Sequence, residues 1–273
     1  MSGRADLHIH STFSDGALSP EAVLTLARSR NINALSITDH DHTGALPQAV
    51  ELGRAMDIEV IPGIELSVTV QGWEVHLLGY FIDPSHEELQ SFLARIRSDR
   101  IRRAERIVQK LNALNLPLRA ENVLERAGTA AVGRPHIANA LVNEGHVGSY
   151  AEAFVRYLTP GKPAYVEKTP VSPREAIRIV AGAGGLTFIA HPGSSLDSEV
   201  LLGLIHEGVD GIEVVHPSHT PALVRYYRDL VAHYFLLTSG GSDFHGGRRN
   251  DLDALGKYTI PQTALSAMRS ALH

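Results

Sequence analysis

Histidine, aspartate and glutamate recur at the ends of apolar runs along this chain. His8-Ile9-His10 closes the first run, and its two imidazoles share a face because successive strand side chains alternate. Residues 35–38 lead into Asp39-His40-Asp41-His42, and Pro62-Gly63 leads to Glu65. His76 sits inside Glu74-Val-His-Leu-Leu. Residues 186–190 end at His191-Pro192, residues 211–215 end at His216-Pro217, and residues 235–239 pass through Gly240-Gly241 to Asp243 and His245. Burying that many imidazoles and carboxylates together is costly unless cations pair them. The pattern predicts a multinuclear metal site at the carboxyl ends of the strands, the functional face of parallel α/β barrels. There is no cysteine, so ligation is by N and O, which suits Mn²⁺, Zn²⁺ or Fe²⁺; abundant imidazole argues against Mg²⁺ alone.

The elements that must position these residues follow a β–α rhythm. Strands are expected at 5–9, 34–38, 59–61 and 75–81, then at 186–190, 211–215 and 235–238. Ser19-Pro20 and Ser172-Pro173-Arg174-Glu175 open helices, each with serine as N-cap and proline first inside. Further helices are expected at 45–56, 198–207, around Tyr226 and at 262–272. From about 91 to 157 the strand signal fades. There Arg95, Arg97, Arg100, Arg102, Arg103, Arg106 and Lys110 crowd one predicted helix, and glycine and proline punctuate shorter ones. The reading is an α/β domain, 1–95 and 169–273, interrupted by a mostly helical insertion, 96–168, covering the active site. The arginine run reads as a solvated helix face or as a rim attracting polyanionic substrate.

Composition removes several classes. The chain has 273 residues, 44% of them hydrophobic and 20% charged, so it is globular in composition. With 25 basic and 30 acidic residues the formal net charge is −5, and no overall basic excess points to stable duplex DNA binding. Without cysteine there are no disulfides, iron–sulfur clusters or thiol nucleophiles. No apolar run approaches the roughly 20 residues of a membrane helix, and the start shows no signal-peptide pattern, so a cytoplasmic protein is expected. Oligomeric state is left open.

The motifs His8-Ile-His10, Thr38-Asp-His40-Asp, Gly63-Ile-Glu65, His76, His191-Pro and Ser242-Asp243-Phe-His245, in this order, resemble the PHP (polymerase and histidinol phosphatase) family, related to the amidohydrolases. The resemblance implies a distorted parallel (β/α)7 barrel with two to three divalent cations at its mouth, Mn²⁺ the leading expectation. It implies that His8, His10, Glu65 and Asp243 hold one cation, that Glu65 bridges to a second held with His76 and His191, and that His40, His245 and Asp15 hold a third. Asp15 stands where the family often has histidine. Asp39, Asp41 and His42 fit no ligand position and read as supports or helix caps. His86, His146, His206, His219, His233 and His273 read as solvent-facing or loop histidines.

Gly133-Arg134-Pro135-His136 and Tyr157-Leu-Thr-Pro-Gly161-Lys162-Pro-Ala-Tyr165 are similar to a PHP subfamily of nucleoside 3′,5′-bisphosphate phosphatases and 5′-to-3′ exoribonucleases. The implied substrate is a phosphate ester of a nucleotide or short oligonucleotide. Arg134, His136 and Lys162 are candidate phosphate contacts; alternatively Arg134 is the N-cap of a helix beginning at Pro135, and Lys162 a surface lysine. The expected catalytic groups are Asp243, Glu65, His191 and His216, with His216 also a candidate substrate contact or leaving-group acid. Metals lower the pKa of bound water from about 15.7 towards 7, so the expected chemistry is hydroxide attack on phosphorus. The alternatives are a metallo-amidase or lactonase, a histidinol-phosphate-type phosphatase, or a non-catalytic binding module.

Overall fold

The computed structural model describes residues 4–128, 130–194, 196–247 and 249–272. Its strands are β1 (Arg4–Ile9), β2 (Ala34–Ile37), β3 (Glu59–Val60), β4 (Gly63–Val70), β5 (Trp73–Tyr80), β6 (Leu186–Ile189), β7 (Gly211–Val215), β8 (Leu237–Gly240) and β9 (Ile260–Pro261). They form two sheets, β3-β2-β1-β9 and β4-β5-β6-β7-β8. Parallel bridges join the sheets at both seams, Ile9 to Phe244 and His40 to Glu65. The circuit β1-β2-β4-β5-β6-β7-β8 is therefore a distorted barrel-like ring.

The distortion has a local cause. Pro62, between β3 and β4, brings no N–H to a ladder. β3 pairs with β2, whereas β4 turns through a hairpin at Gln71 and Gly72, both at positive φ, into β5. β5 consequently runs antiparallel to β4 and to β6, and the parallel order resumes at β6-β7-β8. The strand expected at 235–238 begins two residues later. Phe235 has φ 55° and is 94% exposed, ending the preceding helix in a left-handed residue instead of starting a strand.

The helices are α1 (Pro20–Ser29), α2 (Leu46–Met56), α3 (Glu87–Ala113), α4 (Ala120–Ala127), α5 (Arg134–Asn143), α6 (Tyr150–Ala153), α7 (Pro173–Gly182), α8 (Ser198–His206), α9 (Pro221–His233) and α10 (Gln262–Ser270), with a π turn at Phe154–Leu158. Ser19 and Ser172 cap α1 and α7 by accepting from Ala22 and Glu175 N–H. The chain divides into two compact units, 1–92 with 171–273, and 93–170. Among the described residues the first holds the strands, with apolar clusters around Leu7, Tyr80 and Phe188 and around Ile9, Leu24 and Phe244. The second is helical, its own core built on Ile107, Leu111, Ile137 and Leu141.

Candidate metal centre

Glu65 is the middle of the histidine cluster. It is fully buried near the start of β4, where Asp41 N–H donates to its carbonyl and its own N–H to Asp39 O, at 2.9 and 3.4 Å. Its Oε2 lies 3.1 Å from His10 Nε2, 3.1 Å from His40 Nδ1 and 3.3 Å from His8 Nε2. Its Oε1 lies 2.8 Å from His76 Nδ1 and 3.0 Å from His191 Nε2. One carboxylate thus faces two sets of imidazoles. Asp243 Oδ1 stands 3.2 Å from His10 Nε2 and 3.5 Å from His8 Nε2. Asp15 Oδ1 stands 3.3 Å from His245 Nε2 and 4.0 Å from His40 Nε2.

The first unit thus brings together His8, His10, Asp15, His40, Glu65, His76, His191, Asp243 and His245. His76 arrives by a different route from His10, His40 and His191. It lies within antiparallel β5 opposite Ser67 of β4, not at a strand's carboxyl end. Gly241 lets β1 approach the loop after β8; a Cβ there would meet His8 Cβ at 2.3 Å. Asp39 organises the loop after His10, its carboxylate accepting from Ser11 N–H at 2.8 Å and from the Ser11 and Ser14 hydroxyls at 2.6 Å. Asp41 accepts from Ser67 N–H at 3.1 Å, and His42 Nδ1 from Gly44 N–H at 2.8 Å.

The donor set fits divalent cations. Glu65 Oε2, His40 Nδ1, His76 Nδ1, His216 Nε2 and His245 Nε2 are buried with no hydrogen-bond partner among the described residues. Glu65 Oε2 lies 3.1 Å from His40 Nδ1 and His245 Nε2 3.3 Å from Asp15 Oδ1, about the 3.0–3.4 Å that separates neighbouring ligands around a cation with 2.1 Å bonds. Five groups of three or more such atoms each lie within 4.8 Å, including His8, His10 and Asp243; His40, Glu65 and His76; and His10, Asp15, His40 and His245. The electrostatics agree. Burial alone would push the Glu65 carboxyl up, but the imidazoles of His40, His76 and His8 hold it well below the usual carboxylate range. Asp243 is likewise held down against its burial, chiefly by His8. Burial lowers His40 well below the ordinary imidazole value, whereas the facing carboxylates of Asp243 and Glu65 carry His10 up to about 9 against its own burial.

A cavity of about 280 Å³ opens onto these residues; His216, Ser218 and Arg249 complete its lining. Ser218 N–H donates to His216 Nδ1 at 3.1 Å, and the Ser218 hydroxyl lies 2.8 Å from the same nitrogen. With Nδ1 accepting, the ring proton of neutral His216 sits on Nε2, 3.6 Å from Asp243 Oδ2.

The second unit holds Arg134, His136 and Lys162. Gly133, not Arg134, is the N-cap of α5, and His136 Nδ1 accepts the Gly133 N–H at 3.2 Å. The Arg134 guanidinium lies 5.9 Å from the rings of Phe154 and Tyr165, and it lines a small cavity with Arg100 and Arg103. Lys162 is exposed in the turn closed by its N–H to Thr159 O.

Three participants were absent from the sequence reading or misplaced in it. Glu213 is fully buried, with Oε1 3.0 Å from His8 Nδ1 and Oε2 accepting His191 N–H at 2.7 Å. A lone carboxylate inside Gly211-Ile-Glu-Val-Val was the available signal, since an apolar strand does not bury a charge without a partner. Arg249 reaches Asp243 Oδ2 at 3.2 Å and Asp15 Oδ2 at 3.3 Å from an irregular loop that carries no pattern. His219, expected to be a solvent-facing or loop histidine, lies in the loop after β7 but is 8% exposed, both its ring nitrogens bonding backbone groups of the first unit. His273 lies outside the described residues.

Comparison with known proteins gives concordant matches. The family profile described as PHP domain matches residues 6–158. The chain is 36% identical over 253 residues to a 3′,5′-nucleoside bisphosphate phosphatase of Chromobacterium violaceum, covering 89% of each. It is 36% identical over 248 residues to the 5′-3′ exoribonuclease Rnm of Escherichia coli, covering 88% of this chain and 84% of the relative. Among solved structures, one from Bifidobacterium adolescentis described as a candidate metal-dependent phosphoesterase superposes with a TM-score of 0.89 at 30% identity, over 97% of this chain and 95% of that one. No helix among the described residues is long and apolar enough to cross a membrane.

Proposed function

Because the chain belongs to the PHP domain family, we propose that this phosphoric ester hydrolase removes the 3′-phosphate of nucleoside 3′,5′-bisphosphates, or trims short 5′-phosphorylated oligoribonucleotides, with two to three divalent cations, Mn²⁺ first. The observation that carries the reading is Glu65, one buried carboxylate between His8, His10 and His40 on one oxygen and His76 and His191 on the other. The substrates in the relatives' names, a nucleoside bisphosphate and RNA, supply the substrate class.

In this reading His8, His10, Glu65 and Asp243 hold one cation, Glu65, His76 and His191 a second, and Asp15, His40 and His245 a third. Bound there, divalent cations acidify water and neutralise charge on phosphoryl oxygens. The chain's own groups do the rest. His216, its Nδ1 fixed by Ser218, presents its Nε2–H as a hydrogen-bond donor to the departing oxygen. Arg249 offers a guanidinium at the cavity wall, with the planar fork that matches phosphate. Arg134, His136 and Lys162 supply further phosphate contacts.

The test offers Mn²⁺-loaded protein adenosine 3′,5′-bisphosphate, a short 5′-phosphorylated RNA, and a panel of amides and lactones. Release of inorganic phosphate or of mononucleotides is expected. Turnover of amides or lactones alone would overturn the reading.

A further inference from the structure

The turn that carries His191 is conformationally costly. His191 has φ 26°, in the region L side chains avoid, and the Pro192 that follows narrows its choices further. Gly193 continues at φ 60°. Three buried side chains from β7 and the segment after it hold this turn by successive backbone groups. Glu213 Oε2 accepts the His191 N–H at 2.7 Å, His219 Nε2 accepts the Gly193 N–H at 3.0 Å, and the Tyr227 hydroxyl donates to Gly193 O at 2.6 Å.

His219 is committed wholly to this task. Its Nδ1 lies 2.9 Å from Val214 O, which can only accept, so that nitrogen carries the proton and Nε2 presents its lone pair to Gly193. Both ring nitrogens are spent on backbone, which leaves no lone pair for a ligand and no proton to transfer. Tyr227, 2% exposed, packs its ring 5.1 Å from that of His219.

We propose that Glu213, His219 and Tyr227 are positioning residues that hold the His191 turn in its strained form and so aim the His191 imidazole at Glu65. Strained backbone persists where the surroundings over-determine it, and here they direct one side chain. The inference rests on reading His191 as a cation ligand.

The experiment measures Mn²⁺ affinity by calorimetry, with phosphoester hydrolysis alongside, for His219→Leu, Tyr227→Phe and His219→Gln in the full chain, in wild-type and His191→Ala backgrounds. In the wild-type background His219→Leu should weaken Mn²⁺ binding about 10–100-fold, the usual effect of removing a ligand's support. Tyr227→Phe should act less strongly in the same direction, and His219→Gln, which keeps an acceptor, should recover part of the loss. In the His191→Ala background neither loss should add more than about twofold, because the clamp acts through the removed ring. Equal losses in both backgrounds, or unchanged affinity in folded His219→Leu, overturn the clamp. Should His219→Leu not fold, Tyr227→Phe removes a single oxygen and carries the same comparison. Should His191→Ala leave affinity unchanged, the ligand reading fails instead; the clamp is then judged by a crystal structure of Tyr227→Phe, where an unaltered His191 φ overturns it.

Discussion

His8 Nδ1 stands 3.0 Å from Glu213 Oε1, and neither side chain is exposed. Because Oε2 of the same carboxylate accepts His191 N–H, both oxygens of Glu213 are occupied by protein. Glu213 therefore orients two candidate ligands. Glu213→Ala should leave the His8 and His191 donors unsatisfied, costing about 1–3 kcal/mol each in stability, and should weaken Mn²⁺ binding about 10–100-fold. Glu213→Gln should fall between, since its amide sets an N–H₂ against one of the two donors. Thermal denaturation and titration calorimetry check both; wild-type affinity in Glu213→Ala would refute the orienting role.

Glu65→Gln is expected to be more severe than any change to a supporting residue. It replaces a carboxylate that two sets of imidazoles share with a neutral amide bearing one donor end. Cation stoichiometry should fall by at least one, and hydrolysis by more than about 100-fold. Elemental analysis beside a phosphate-release assay decides, and full stoichiometry in Glu65→Gln would contradict the assignment.

Much of this site was legible in the chain because alternation is a strict rule. His8 and His10 had to share a face, and the carboxyl ends of β1, β2, β6 and β7 delivered His10, His40, His191 and His216 as the β–α rhythm requires. What was not legible depends on tertiary choice. Pro62 separates β3 from β4 and the Gln71-Gly72 hairpin reverses β5, so His76 reaches Glu65 from mid-strand. His219 lies on a loop that looked solvated, and its burial follows from packing against Tyr227 and the Gly193 turn, which local sequence does not encode.

Gly241 allows the loop carrying Asp243 to lie against β1. A Cβ there would approach His8 N and Cβ at 2.3 Å, both parts of a rigid strand that cannot yield cheaply. Gly241→Ala should destabilise the protein by at least about 1–3 kcal/mol, the usual cost of overpacking, and should lower Mn²⁺ affinity by displacing His8. A variant with unchanged melting temperature and affinity would show that the loop can move without consequence.

Removal of the cations should expose a pH dependence that loading suppresses. In the metal-free protein His76, like His10, is carried up to about 9 against its burial, by Glu65 and Glu74, from an ordinary value of 6.5. An imidazole raised on folding stabilises the fold fully below about 6.5, and its contribution is lost as pH rises through 9. His40, held well below 6.5 by burial, is neutral in the folded chain, so it adds only a small opposite slope near pH 6.5, where the unfolded imidazole is still partly protonated, and none above about pH 8. The melting temperature of chelator-treated protein should thus fall between pH 6.5 and 9. Cation ligation requires neutral imidazoles, so Mn²⁺-loaded protein should show a much shallower slope. Parallel slopes would mean that His10 and His76 do not ligate.

Arg249 links Asp15 and Asp243 through its two Nη atoms, so a fixed monovalent charge stands beside two carboxylates that are candidates for a divalent one. The guanidinium is 44% exposed, and such a part-exposed pair is worth about 0.5–1 kcal/mol. Arg249→Ala removes both the competition and the cationic wall of the cavity. Cation affinity on the Asp15, His40 and His245 side should rise about 2–5-fold, while KM for a phosphate ester rises because the substrate loses a guanidinium partner. Arg249→Lys should restore part of the charge but not the fork, and so recover KM only partly. The two parameters moving in opposite directions is the signature of a residue shared between cation and substrate; a fall in cation affinity would instead make Arg249 a support of Asp15.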